Sequence, residues 1–298
     1  MGTIIEASAT ATAEDGTCQG ALGLADAAAR LCLQRAQRTA EEVDLLINAG
    51  VYNDRGISEP AIASLIQEDI GANPEQQPGT GQGTFSFDVR NGGCGVLSAI
   101  QLVDGLLASK TVKLGMVVAA DIDPEPGVSE GFGFAPVGGA VLLSADDSRA
   151  GFTAFRCVTF PEFAGLYQSN VVWRQDIRPG PNDQGRNVLT VEIAESYPEH
   201  ALECAESTVR ELAADSMLDL GDVDLLVATA SVPGFAAELA KRLGVAAERV
   251  ALPPPALARA HTAAVPVALQ QGRLEAGITA LFVCVGAGMT VVAALYRG

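Results

Sequence analysis

Four places in this 298-residue chain carry side chains whose type and spacing could do chemistry. Cys94 follows Gly92-Gly93 at the entry to a segment of small residues with helical patterning. The glycine pair permits unusual backbone angles, so one reading makes Cys94 a nucleophile on a rebuilt turn. The other makes it a small buried core thiol. His200 stands with Glu203 and Cys204 at i, i+3 and i+4, formally a metal pattern. With two histidines in all and no second ligand pair, an exposed helix face is the expectation, with no metal. Asp121-Ile-Asp123-Pro-Glu125 reads as a solvated acidic loop. Gly79-x-Gly81-x-Gly83 has neither the spacing nor the following helix of a dinucleotide fingerprint, and no cofactor is expected.

The elements that must position these residues occur twice. Ala21–Ile47 aligns with Ala201–Val227 at a shift of 180 residues, placing Arg30 on Arg210 and Val43-Asp44-Leu45-Leu46-Ile47 on Val223-Asp224-Leu225-Leu226-Val227. The shift falls to 173 at Gly71 and Gly244, 167 at Gly105 and Gly272, and 149 at Gly139 and Gly288. Stepwise shrinking shifts mean one module with loops trimmed differently, far longer than a solenoid repeat. The halves are read as 1–150 and 151–298. In the first, helices are expected over Leu22–Arg38, Ala61–Ile70 and Cys94–Ala108. Strands are expected over Val43–Ala49, Thr84–Val89, Leu114–Asp121 and Gly139–Ala145. The second half repeats them as Thr190–Leu212, Val223–Ala228, Gly234–Leu243, Val250–Leu252, Ala260–Gln271, Ala280–Val285 and Met289–Tyr296, with Arg174–Arg186 as an inserted loop. Uninterrupted apolar strand runs call for a sheet covered by helices on both faces.

Composition narrows the function classes. The chain is 48% hydrophobic and 5% aromatic, so the core is aliphatic and alanine-rich. A net charge of −17 argues against nucleic acid and anionic membrane as partners. No uncharged apolar helix long enough to span a bilayer is read, nor a secretory signal. Six cysteines without CxxC spacing fit buried thiols in a reducing cytoplasm.

Two helix–strand modules about a pseudo-dyad resemble the thiolase fold, a duplicated α-β-α-β-α layered α/β architecture. Local motifs resemble its β-ketoacyl synthase III-like branch. Phe87-Asp88-Val89-Arg90-Asn91-Gly92-Gly93-Cys94-Gly95-Val96-Leu97-Ser98-Ala99 looks like the strand-to-helix segment bearing the nucleophile. Asp222–Gly244, ending Ala240-Lys241-Arg242-Leu243-Gly244, resembles the segment holding the catalytic His. Thr262-Ala263-Ala264-Val265-Pro266 resembles the stretch after the catalytic Asn, and Gly286-Ala287-Gly288-Met289-Thr290 the C-terminal glycine loop.

The resemblance implies acyl-thioester chemistry by Cys, His and Asn, and all three positions are substituted. The Cys position, where a helix N-terminus favours a thiolate, is Gly93. Cys94 comes one residue later, turned about 100° around a helix. The His position is Thr229, which cannot act as an imidazole, and the Asn position is Arg259, which could supply charge only with a different geometry. Ala287 holds the oxyanion-loop position, where its amide can still donate. His261, two residues past the Asn position, could reach the same pocket as a base for Cys94, or be a helix-terminal histidine bonded to backbone. Gly234 replaces a basic residue that often helps carrier-protein docking. Arg90 and Asn91 face either the pocket or a dimer seam.

Three readings follow. The first is a catalytically degenerate subunit pairing with an active homologue, or otherwise dimeric through the strand at Ser86–Val89. The second is an acyltransferase or unusual condensing enzyme using Cys94 with His261 or Arg259. The third is a protein that binds an acyl thioester, on coenzyme A or carrier protein, without turnover.

Overall fold

The computed structural model describes residues 2–13, 20–73, 83–148, 150–177, 180, 184–272 and 274–298; Cys18, Gly79 and Gly81 lie outside the described residues. In chain order the strands are β1 (Gly2–Thr12), β2 (Leu45–Asn48), β3 (Phe85–Asp88), β4 (Leu114–Asp121), β5 (Val137–Asp146), β6 (Gly151–Thr159), β7 (Tyr167–Arg174), β8 (Arg186–Ile193), β9 (Leu225–Thr229), β10 (Thr279–Gly286) and β11 (Thr290–Arg297). The helices are α1 (Gly20–Ala36), α2 (Ile62–Ile70), α3 (Gly95–Ala108), α4 (Tyr197–Asp215), α5 (Phe235–Leu243) and α6 (Ala264–Leu269). No helix among the described residues is long and apolar enough to cross a membrane.

Nine strands form one sheet in the order β3-β2-β4-β5-β1-β6-β11-β10-β9. Its centre is the antiparallel meeting of β1 and β6 at Thr3 and Phe152. Outward from that junction the first half runs β1-β5-β4-β2-β3 and the second β6-β11-β10-β9, with a parallel bridge from Leu226 to Val250 standing where β3 stands in the first. The sheet therefore has internal pseudo-twofold symmetry. Three apolar clusters give the layers. One gathers α1 and α2 over the first half, another gathers α4 and α5 over the second. The third gathers α3 and α6 between strands of both halves.

The duplicated residues do the same work in both copies. Arg30 donates to the Asp69 carbonyl at the end of α2, and Arg210 donates to the Arg242 carbonyl at the end of α5. Gly71 and Gly244 cap those helices in the left-handed region, at φ 80° and 76°, where a side chain would be strained. Asp44 accepts from the Leu114 amide opening β4, and Asp224 from the Thr279 amide opening β10.

Several boundaries differ from those the sequence suggests. The central strands β1 and β6 were not expected, because Gly2–Thr12 and Gly151–Thr159 lack a clean apolar alternation and are only partly buried. The insert is a β7–β8 hairpin rather than a loop at Arg174–Arg186 alone. Thr190 lies in β8, and the helix begins at Tyr197 with Pro198 in its first turn, where a missing N–H costs nothing. At the other end, α6 is confined to Ala264–Leu269, leaving 260–263 free to face the site. Val250–Leu252 makes one bridge, not a strand.

One electrostatic feature lies away from the site. Burial, and then the adjacent Asp69 carboxylate, push the Asp26 carboxyl up to about 7. An unfolded Asp titrates near about 4, so the folded chain holds this proton more tightly. Stability from this group is present below about pH 4 and is lost as the pH rises toward about 7. Asp26→Asn should therefore be more stabilising, relative to wild type, at pH 8 than at acidic pH in urea titrations. An equal difference at both would contradict this.

Candidate functional site

The bare start of α3, the ends of β4, β9 and β10, and the segment before α6 converge on His261. Gly92–Cys94 forms a single tight turn before α3, with Gly92 at φ 48°. A Cβ placed at Gly93 would stand 3.0 Å from the Val285 carbonyl and 3.7 Å from the His261 ring. A side chain fits there only if its neighbours give way.

Cys94 turns into the core. Its thiol is fully buried, 3.4 Å from the Cys284 carbonyl and 3.3 Å from that of Thr290. Burial, with the Cys284 thiol nearby, pushes it well above the ordinary thiol range. The nucleophile reading of Cys94 lacks support in this geometry. The ring nitrogens of His261 bond Ser231 and Tyr167 instead of Cys94.

His261 is held from three sides. Its Nδ1 lies 2.5 Å from Ser231 Oγ, and its Nε2 lies 3.4 Å from the Tyr167 hydroxyl. That hydroxyl is 3.4 Å from the Tyr52 hydroxyl, which donates to Ser169 Oγ at 3.3 Å. Phe134 stacks on the imidazole at 4.4 Å between centroids. The backbone is pinned by Asp121 at the end of β4, fully buried rather than solvated. Its carboxylate accepts from the amides of His261, Thr262 and Ala263 at 2.9, 3.0 and 3.1 Å, and from the Thr262 hydroxyl at 2.7 Å. Burial holds His261 below the ordinary imidazole range, against the opposing pull of the Asp121 charge. A neutral ring donating from Nε2 to Tyr167 leaves Nδ1 to accept from Ser231.

The other expected residues lie around this cluster. Thr229 ends β9 and donates to Cys284 Sγ at 3.3 Å. It lines a cavity of about 190 Å³ between α5 and α6, walled by Phe235, Leu257 and Val267 among others. Arg259 is exposed, and its guanidinium lies over Gly133, where a Cβ would meet Nη2 at 2.5 Å. Gly286 packs its bare face toward Cys94 Sγ at 3.4 Å, while Gly288 turns at φ 72° and Ala287 is exposed between them. His200 pairs with Glu203 at 3.0 Å and stacks on Phe163, while Cys204 is buried. Among the described residues, no group of three or more His, Cys, Asp or Glu side chains could hold a metal ion.

Sequence reasoning did not single out Ser231, Tyr167, Tyr52 or Phe134. The available signal was Ser231, two positions beyond Thr229, as His261 is two beyond Arg259.

No protein-family model matches the chain. Among curated proteins it is similar to β-ketoacyl-[acyl-carrier-protein] synthase III of Erythrobacter litoralis, 27% identical over 287 residues, covering 92% of this chain and 83% of that protein. The enzyme of the same name from Acidiphilium cryptum is also 27% identical, over 282 residues, with 91% and 82% covered. Among solved structures, 3-oxoacyl-(acyl carrier protein) synthase III of Pseudomonas aeruginosa superposes with a TM-score of 0.80 at 19% identity, covering 100% of this chain and 98% of that one. A priming β-ketosynthase of a polyketide biosynthetic pathway gives a TM-score of 0.77 at 18% identity, with 99% and 96% covered. The architecture is thus the thiolase-like fold, and the sequence resembles the synthase III branch along nearly its whole length.

Proposed function

We propose that this chain, β-ketoacyl synthase III-like in sequence and thiolase-like in fold, handles acyl thioesters of fatty-acid or polyketide-type metabolism without condensing them. Its organisation is two repeated units, 1–150 and 151–298, sharing one sheet. One observation carries the reading. The positions matched to the branch's Cys, His and Asn hold a glycine pressed beneath the Val285 carbonyl, a threonine bonded to Cys284, and an arginine turned outward over Gly133. None presents a thiolate, an imidazole or an amide to a bound thioester. Condensation by Cys94 with His261 or Arg259 has no geometric support, because Cys94 is bonded into the core.

A non-condensing member keeps a role if it pairs with an active homologue, shaping that partner's acyl pocket or its stability. β3 lies at the edge of the sheet with Phe85 63% exposed, the kind of unpaired edge that invites another strand. A cytoplasmic dimer formed across β3 is the assembly proposed, with a partner subunit supplying the basic patch for an acidic carrier protein that a chain of net charge −17 lacks. Phe85→Glu should convert the dimer to monomer in sedimentation velocity while leaving the circular dichroism spectrum unchanged. A variant still dimeric would move the interface elsewhere. The partner reading is tested by co-expression with a condensing homologue from the same organism. A stoichiometric complex on native mass spectrometry supports it, and two separate homodimers contradict it. Saturable binding of an acyl thioester by the isolated homodimer, without turnover, would favour the pure binding role.

A further inference from the structure

The Ser231–His261 pair is used by nothing in the reading above. Serine and imidazole at hydrogen-bond distance, with the ring tautomer set by a third group, is the arrangement that activates a hydroxyl for attack. Here Ser231 Oγ lies 2.5 Å from Nδ1, and Nε2 faces the Tyr167–Tyr52 chain, which ends on exposed Ser169. Phe134 stacks on the imidazole, and Asp121 holds the backbone amide from which it extends. Nδ1 also looks toward the glycine turn, because a Cβ at Gly93 would lie 3.7 Å from it. The side chain that would crowd an incoming carbonyl beside Ser231 is therefore missing. Ala230 and Val232, the immediate neighbours of Ser231, line the apolar cavity between α5 and α6.

We propose that Ser231, with His261 as its base, is a nucleophile that accepts an acyl group from a thioester. The proposal rests on the acyl-thioester reading for its substrate class. Ser231 gives its hydroxyl proton to His261 Nδ1 as the Oγ–carbon bond forms. The carbon–sulfur bond then breaks, and the leaving thiolate takes the proton from the imidazolium, giving a free thiol and an acyl-serine ester. Water completes the cycle. His261 takes its proton, the hydroxide adds to the ester carbon, the carbon–Oγ bond breaks, and Ser231 is reprotonated with release of a carboxylic acid. No oxidant, metal or further co-reactant is required.

The test uses the whole chain with an alkyl fluorophosphonate and, separately, decanoyl-coenzyme A, read by intact mass, peptide mapping and thiol release. One phosphonyl group on Ser231 and slow thiol release are expected. Both should fall at least about a hundredfold in Ser231→Ala and persist in Cys94→Ala. Ser231→Cys, which keeps a donor for Nδ1, should regain an acyl adduct and guards against a folding defect in the alanine variant. An unlabelled Ser231 in folded protein, or thiol release unchanged in Ser231→Ala, overturns the proposal. A non-hydrolysable thioether analogue of decanoyl-coenzyme A, followed by calorimetry, separates the two readings. Its binding without Ser231 labelling sinks the nucleophile alone. Labelling of Ser231 without its binding leaves the nucleophile and removes the acyl-coenzyme A reading.

Discussion

Asp121→Ala is expected to cost about 4 kcal/mol or more of folding stability. The carboxylate is completely buried and accepts three backbone amides and one hydroxyl. Its removal leaves the amides of residues 261–263 buried with no acceptor, each costing about 1–3 kcal/mol. The Thr262 hydroxyl retains the Ala120 carbonyl at 3.3 Å, so its loss is the smaller part. Against a total stability of about 5–15 kcal/mol, that removes a large share of what holds the fold. Asp121→Asn keeps one carbonyl oxygen but turns an NH₂ toward an amide donor, and should cost about 2 kcal/mol. Urea unfolding followed by circular dichroism orders the three proteins. An alanine variant as stable as wild type would show that the 261–263 segment does not depend on Asp121.

The second large effect concerns thiol reactivity. In native protein Cys94 should resist alkylation, reacting roughly a thousandfold or more slowly than an exposed thiol, because reaction waits on opening a core worth several kcal/mol. Gly93→Cys should behave in the opposite way. It places a thiol at the start of a 14-residue helix, where free amides and the helix dipole favour the thiolate. The Val285 carbonyl would stand 3.0 Å from its Cβ, so it should also lose about 1–3 kcal/mol of stability to crowding. Peptide mapping after a brief iodoacetamide pulse separates the two sites. Cys157, exposed on β6, serves as the internal standard. Fast labelling of Cys94 in wild type would return it to consideration as a nucleophile.

Why some of this was legible in the sequence and some was not follows from the range of the interactions. Arg30 and Arg210, Gly71 and Gly244, and the two Asp-Leu-Leu strands show the duplication because each copy solves the same local packing problem with the same residue. β1 and β6 were not readable: each lies at the middle of the sheet with mixed, half-buried residues, and pairing across the pseudo-dyad decides their state. Asp121 looked solvated because Asp123 and Glu125 follow it, yet its partners are 140 to 142 residues away. Ser231 and His261 are 30 residues apart and meet only because the fold brings the turn after β9 beside the segment before α6. The shortened α6 then leaves His261 outside the helix, opening the turn before it, and no local pattern marks that.

The most direct test of the account is whether the purified chain condenses at all. It would be given an acyl-coenzyme A primer and isotopically labelled malonyl thioester, with β-ketoacyl product and carbon dioxide both followed. Removing one oxyanion donor alone costs an enzyme about a hundred- to a thousandfold, and on the reading proposed above the thiol, imidazole and amide positions are all replaced. The account predicts carbon dioxide release and product at the protein-free background, in wild type and Cys94→Ala alike. Turnover above background that is lost in Cys94→Ala would contradict it.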